Sequence, residues 1–130
     1  MPIKAALETL ACPYASDLLR RVGDKWSVST IILLESGTKR FNELLKASEG
    51  ISQRILTLTL RNLERDGFVE RAVISNSTLH VEYSLTALGS SLLSLMGGVI
   101  TWAYQNRDLV KDARLKFDAI REDRFSSANK

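Results

Sequence analysis

A single cysteine and a single histidine stand among the 130 residues, and each scarcity closes off a class of chemistry. One thiol cannot form a disulfide within the chain. One imidazole excludes a His-His zinc pair. No serine–histidine–acid set, paired acidic site or phosphate-binding glycine loop is evident, so no enzyme activity, metal or cofactor is expected. The first ten residues carry Lys4 and Glu8 and lack a sustained apolar run, so no signal peptide is expected and a reducing cytoplasmic setting is.

Charge is missing too, from residues 83–106. The stretch "SLTALGSSLLSLMGGVITWAYQN" has the length of a membrane span. Wound at about 100° per residue, however, it gathers Ser90, Ser91, Ser94, Gly97, Gly98, Thr101 and Gln105 on one arc. A spanning helix is apolar around its whole surface for roughly 20 residues, so this reads as an amphipathic helix with no membrane partner. Its apolar arc covers over half the circumference, more than one small domain covers alone. Leu92, Met96, Val99 and Ala103 are therefore expected at a homodimer interface. Gly97 and Gly98 read as a close helix approach or a kink.

What is present fits one compact domain: 45% of residues are hydrophobic and 25% charged, enough for a real core. The net charge of +3 permits an anionic partner without demanding one. Along the chain, "CPYASDLLRRVG" reads as a first helix after Pro13, with Ala15, Leu18, Leu19 and Val22 inward. "DKWSVSTIILLESG" gives a second, burying Trp26, Ile31 and Leu34, and "TKRFNELLKASEG" a short third with Phe41, Leu44 and Leu45. After Gly67, "FVERAVI", a polar turn "SNST" and "LHVEYSL" form a β-hairpin. Thr86 is placed to cap the long helix, and Leu109, Ala113, Phe117 and Ile120 mark a last one. The polar end is expected to fray.

The fourth helix carries the functional signal. In "GISQRILTLTLRNLERDGFVER", Leu56, Leu60 and Leu63 form a core stripe, with Ile55 and Thr59 at its margin. Arg54, Thr57, Arg61 and Arg65 form a ridge on the opposite side. Ser52 is placed as N-cap and Gly67 as the left-handed residue that closes the helix. A short helix, a glycine-containing turn, an amphipathic helix and a hairpin in that order describe a winged helix-turn-helix, mainly α with a small β-hairpin wing (α+β). In such a motif the second helix of the pair enters the DNA major groove. From Lys39 to Glu82 there are seven basic and six acidic residues, so attraction to DNA rests on arrangement rather than on net charge. A winged-helix protein-interaction module without specific DNA binding remains open as the alternative.

"CPYASDLLRRVGDKW", "RFNELLKASEGISQRILTLTLRNLERDGFVER" and "VEYSLTALG", in a match that covers roughly residues 12–103, together resemble the HxlR-type transcriptional regulators, a branch close to the MarR-like winged helices. The resemblance implies a bacterial homodimer that binds a near-palindromic double-stranded operator. It places Ser52, Gln53, Arg54, Thr57 and Arg61 in the recognition helix and Lys39 and Arg40 at phosphates, with Arg65 further along and His80 on the wing. Leucine stands at 58 where a polar residue is common. Some members use a cysteine at the position of Cys12 to sense oxidants or electrophiles, and a helix start near Lys4, Arg20 and Arg21 favours a thiolate. The resemblance names no small-molecule effector. The organisation expected is a single domain: a DNA-binding core over about 24–86, dimerisation helices over about 12–23 and 87–121, and a flexible tail over 122–130.

Overall fold

The computed structural model describes residues 2–75 and 79–128. Most of the expected polar turn, residues 76–78, and the final two residues of the expected tail lie outside them. Helix α1 spans Ile3–Leu10, α2 Pro13–Gly23, α3 Lys25–Leu34, α4 Phe41–Ala47, α5 Gln53–Arg65, α6 Ala87–Gln105 and α7 Arg107–Ala128. Strand β1 is Lys39–Arg40, β2 Val69–Ser75 and β3 Leu79–Leu85. The strands form one antiparallel sheet in the order β1-β3-β2, with Lys39 opposite Tyr83 and Val69 opposite Leu85. This is a winged helix-turn-helix fold.

Local chemistry explains the boundaries. Pro13 opens α2 at a position where its missing N–H costs nothing. Asp24 caps α3, its carboxylate accepting from the Ser27 amide at 3.1 Å and from the Ser27 hydroxyl at 2.6 Å. Thr86 caps α6: its hydroxyl accepts from the Gly89 amide at 3.0 Å and donates to the Gly67 carbonyl at 2.6 Å. A Cβ at Gly89 would run into the Phe68 carbonyl and the Leu85 side chain, so glycine lets α6 lie against Phe68 and the end of β3.

The contacts divide the chain into two compact units, Met1–Met96 and Gly97–Lys130, where composition alone pointed to one domain. The first unit holds the core. Ile31 and Leu34 of α3, Leu44 of α4, and Leu56, Leu60 and Leu63 of α5 pack with Phe68, Val69 and Met96. The leucine stripe of α5 is thus buried as its spacing requires.

Several expectations are corrected. Met96, assigned to a partner chain, is 2% exposed and belongs to this chain's own core, with Leu92 packed beside it. Leu18 and Leu19 are exposed rather than inward. Trp26 is only half-buried, with the Lys25 ammonium 4.9 Å from its ring centre. A Cβ at Gly97 or Gly98 would meet nothing, so neither marks a close approach within the chain. Helix α7 continues to Ala128, well into the expected tail. By length and composition α6 could cross a membrane, yet its first half supplies Gly89 and Met96 to the core.

The second unit is different. Residues 97–128 contain no buried side chain. The Asn106 amide bonds the Trp102 carbonyl and its own carbonyl takes the Val110 amide, both at 3.1 Å, so helical bonding runs through the joint between α6 and α7.

Candidate nucleic-acid interface

Two short helices and a tight turn position the candidate surface. The Arg40 amide donates to the Glu43 carboxylate at 3.0 Å, fixing the start of α4 and leaving the Arg40 guanidinium exposed. Gly50 turns the chain between α4 and α5 with φ +85. The Ser52 hydroxyl then accepts from the Ile55 amide at 3.1 Å and starts α5. At the far end Gly67 has φ +83. Its amide reaches the Glu64 carbonyl at 3.0 Å and the Phe68 amide reaches the Leu63 carbonyl at 2.9 Å, a Schellman closure. An ion pair holds this end: Arg21 Nε lies 2.6 Å from Asp66 Oδ2, both side chains largely buried. The two partners lie 45 residues apart, so no local pattern in the sequence joins them.

Between these anchors α5 turns its basic ridge outward. Arg54, Arg61 and Arg65 are exposed and Thr57 is half-buried. Arg54, Thr57, Leu58 and Arg61 line one shallow cleft of about 310 Å³. The Thr57 hydroxyl donates to the Gln53 carbonyl at 2.8 Å, which leaves its oxygen free to accept. Leu58 is 55% exposed beside the arginines. Ser52 and Gln53 are exposed at the helix start. Arg40, Arg54, Arg61 and Arg65 form no ion pair among the described residues.

The remaining expected residues behave differently. Lys39 is half-buried and its ammonium donates to Ser36 Oγ at 3.1 Å. His80 is half-buried on β3 with Nε2 3.2 Å from Glu82 Oε1, so its ring faces a carboxylate rather than standing free on the wing. Cys12 is exposed and is the N-cap residue of α2. Two of its expected basic neighbours are directed elsewhere, Arg21 to Asp66 and Arg20 to Asp17 at 3.9 Å. Of the four expected interface residues, Leu92 and Met96 pack inward, while Val99 and Ala103 are exposed.

The profile of the HxlR-like helix-turn-helix family matches residues 21–111, about two-thirds of the chain and all of the winged-helix core from α3 to β3. The chain belongs to that family. Among its relatives is the HTH-type transcriptional regulator YybR of Bacillus subtilis, 40% identical over 93 residues, which span 72% of this chain and 74% of YybR. Among solved structures, the reduced form of the transcriptional regulator YodB from B. subtilis superposes with a TM-score of 0.65 at 33% identity, covering 72% of this chain and 92% of that one. The redox regulator HypR in its reduced form gives a TM-score of 0.67 at 38% identity, covering 75% and 96%. YodB is also known in diamide-treated and quinone-bound forms.

Proposed function

We propose that this protein is a cytoplasmic, sequence-specific DNA-binding transcriptional regulator that acts as a homodimer on a near-palindromic operator. The observation that carries this reading is the α5 ridge: three exposed arginines with no ion pair among the described residues, on a helix whose other face is the core. A duplex offers such exposed guanidiniums phosphate and guanine acceptors, with which charge-assisted, forked hydrogen bonds are strong. Arg54 and Arg61 fork onto guanine edges, while Thr57 and Leu58 offer methyl groups to thymine. Arg40 and Arg65 flank them at phosphates.

Competition between operator and scrambled duplex over a range of salt tests the reading. Specific binding that weakens steeply with salt is expected. Equal, weak affinity for both duplexes would return the fold to the protein-interaction class. The redox-regulator relatives and the exposed Cys12 support a second element, response to oxidants or electrophiles through that thiol. With one cysteine in the chain, any disulfide joins two subunits or a small thiol.

A further inference from the structure

A second cleft, of about 380 Å³, opens between α5 and the wing, lined by Thr57, Leu60, Arg61, Glu64, Arg71 and Tyr83. Arg71 of β2 and Tyr83 of β3 are directly paired across the strands. They share a sheet face with Val69, which is buried against the core, so alternation aims both toward α5. Arg61, Glu64 and Arg71 form no ion pair, and the Tyr83 hydroxyl makes no hydrogen bond, among the described residues. Two guanidiniums and a phenol therefore converge on one cleft with no ion pair or hydroxyl hydrogen bond among the described residues.

We infer that this cleft holds a backbone phosphate of the operator, with Arg71 and the Tyr83 hydroxyl as its donors beside Arg61. The inference rests on the DNA-binding reading above. Thr57 and Arg61 line both this cleft and the one on the α5 ridge, so the two surfaces are continuous. A helix about 10–12 Å across fills a major groove about 12 Å wide. What lies one strand to the side of that helix meets the sugar–phosphate wall and not the base edges. The contact falls at the base of the wing, on residues that charge counting and family position did not single out. Glu64 lies in the same cleft and opposes the phosphate.

Titrations of the full chain on operator and scrambled duplex at several salt concentrations test this. Arg71→Ala should weaken both duplexes by the same factor and lower the slope of log affinity against log salt by about one unit. Arg71→Lys should restore the slope, Tyr83→Phe should weaken both duplexes by a smaller factor, and Glu64→Gln should tighten both. Wild-type affinity and slope in Arg71→Ala, on a protein whose wild type binds duplex in a salt-dependent way, would overturn the phosphate site alone. A wild type that binds no duplex would overturn the DNA reading itself. Inorganic phosphate at constant ionic strength separates the sources of the anion. It should leave wild-type binding unchanged, and selective displacement of duplex from wild type but not from Arg71→Ala would assign the cleft to a free phosphorylated ligand and overturn the proposal.

Discussion

Arg54 and Arg65 occupy one exposed ridge of α5, three turns apart, yet a curved duplex meets them differently. Arg54 shares a cleft with Thr57 and Leu58 in the first half of the helix, where a recognition helix presents its residues to base edges. Arg65 is in the last turn, beside the Schellman closure, at the end of the helix away from that cleft. Arg54→Ala should therefore cost about 1–3 kcal/mol on the operator and relax preference at one base pair. Arg65→Ala and Arg40→Ala should weaken operator and scrambled duplex alike and flatten the salt slope by about one unit each. Competition titrations at two salt concentrations read both quantities, and intact operator binding in both Arg54→Ala and Arg61→Ala would remove α5 from base reading. Cys12 is argued at the same scale. Its thiol is exposed at the start of α2, so diamide should release wild-type protein from the operator and leave Cys12→Ser bound. Equal release of both proteins, followed by mobility shift, would make Cys12 a structural residue.

The placement of α5 as an element depends on its two ends. Ser52 fixes one, and the other combines Gly67 with the Arg21–Asp66 pair that ties α2 to the helix terminus. Gly67→Ala should cost about 1 kcal/mol because alanine resists a φ of +83. Arg21→Ala leaves a largely buried carboxylate without its donor and should cost about 1–3 kcal/mol. Urea unfolding monitored by circular dichroism measures both; a Gly67→Ala midpoint at or above wild type would show that this closure does not limit stability. The caps of α5 and α6, the leucine stripe and the wing were legible because each is a local pattern in which spacing or residue type fixes the backbone. Helix α1 was not, since it lacks both a side-chain cap and any buried residue. Strand β1 has two residues, too few for any period to show. The Arg21–Asp66 pair and the Arg71–Tyr83 cleft join residues distant in the chain, and only the fold brings them together. Met96 misled for a related reason: periodicity shows that a face is apolar but not whether its own chain or another covers it.

For the whole molecule the decisive feature is a stretch of helix with no core. From Gly97 to Ala128 every apolar side chain is exposed, Val99 at 53%, Trp102 at 63%, Leu109 at 70% and Phe117 at 63% among them. A helix in water gains too little from its own hydrogen bonds to offset its ordering, and its stability comes from packing an apolar face. Leu109, Ala113, Phe117 and Ile120 lie within one such face of α7, and Val99 and Ala103 continue the apolar arc of α6. The first unit separately exposes Ile3, Leu7 and Leu10 of α1. In the dimer proposed above, a second copy of the chain would cover these surfaces by two-fold symmetry, which would also match inverted half-sites about one helical turn, or a multiple of it, apart. Light scattering at micromolar concentration should therefore give twice the 14.5 kDa chain mass. Val99→Glu, on a side chain that the core does not use, should shift that mass toward the monomer while leaving the first unit folded. The same variant should lose operator affinity more than affinity for a single half-site, because dimerisation lets one subunit hold its neighbour at high effective concentration. A Val99→Glu protein that stays dimeric would move the interface off this part of α6, and a wild-type monomer that binds operator tightly would end the dimer proposal.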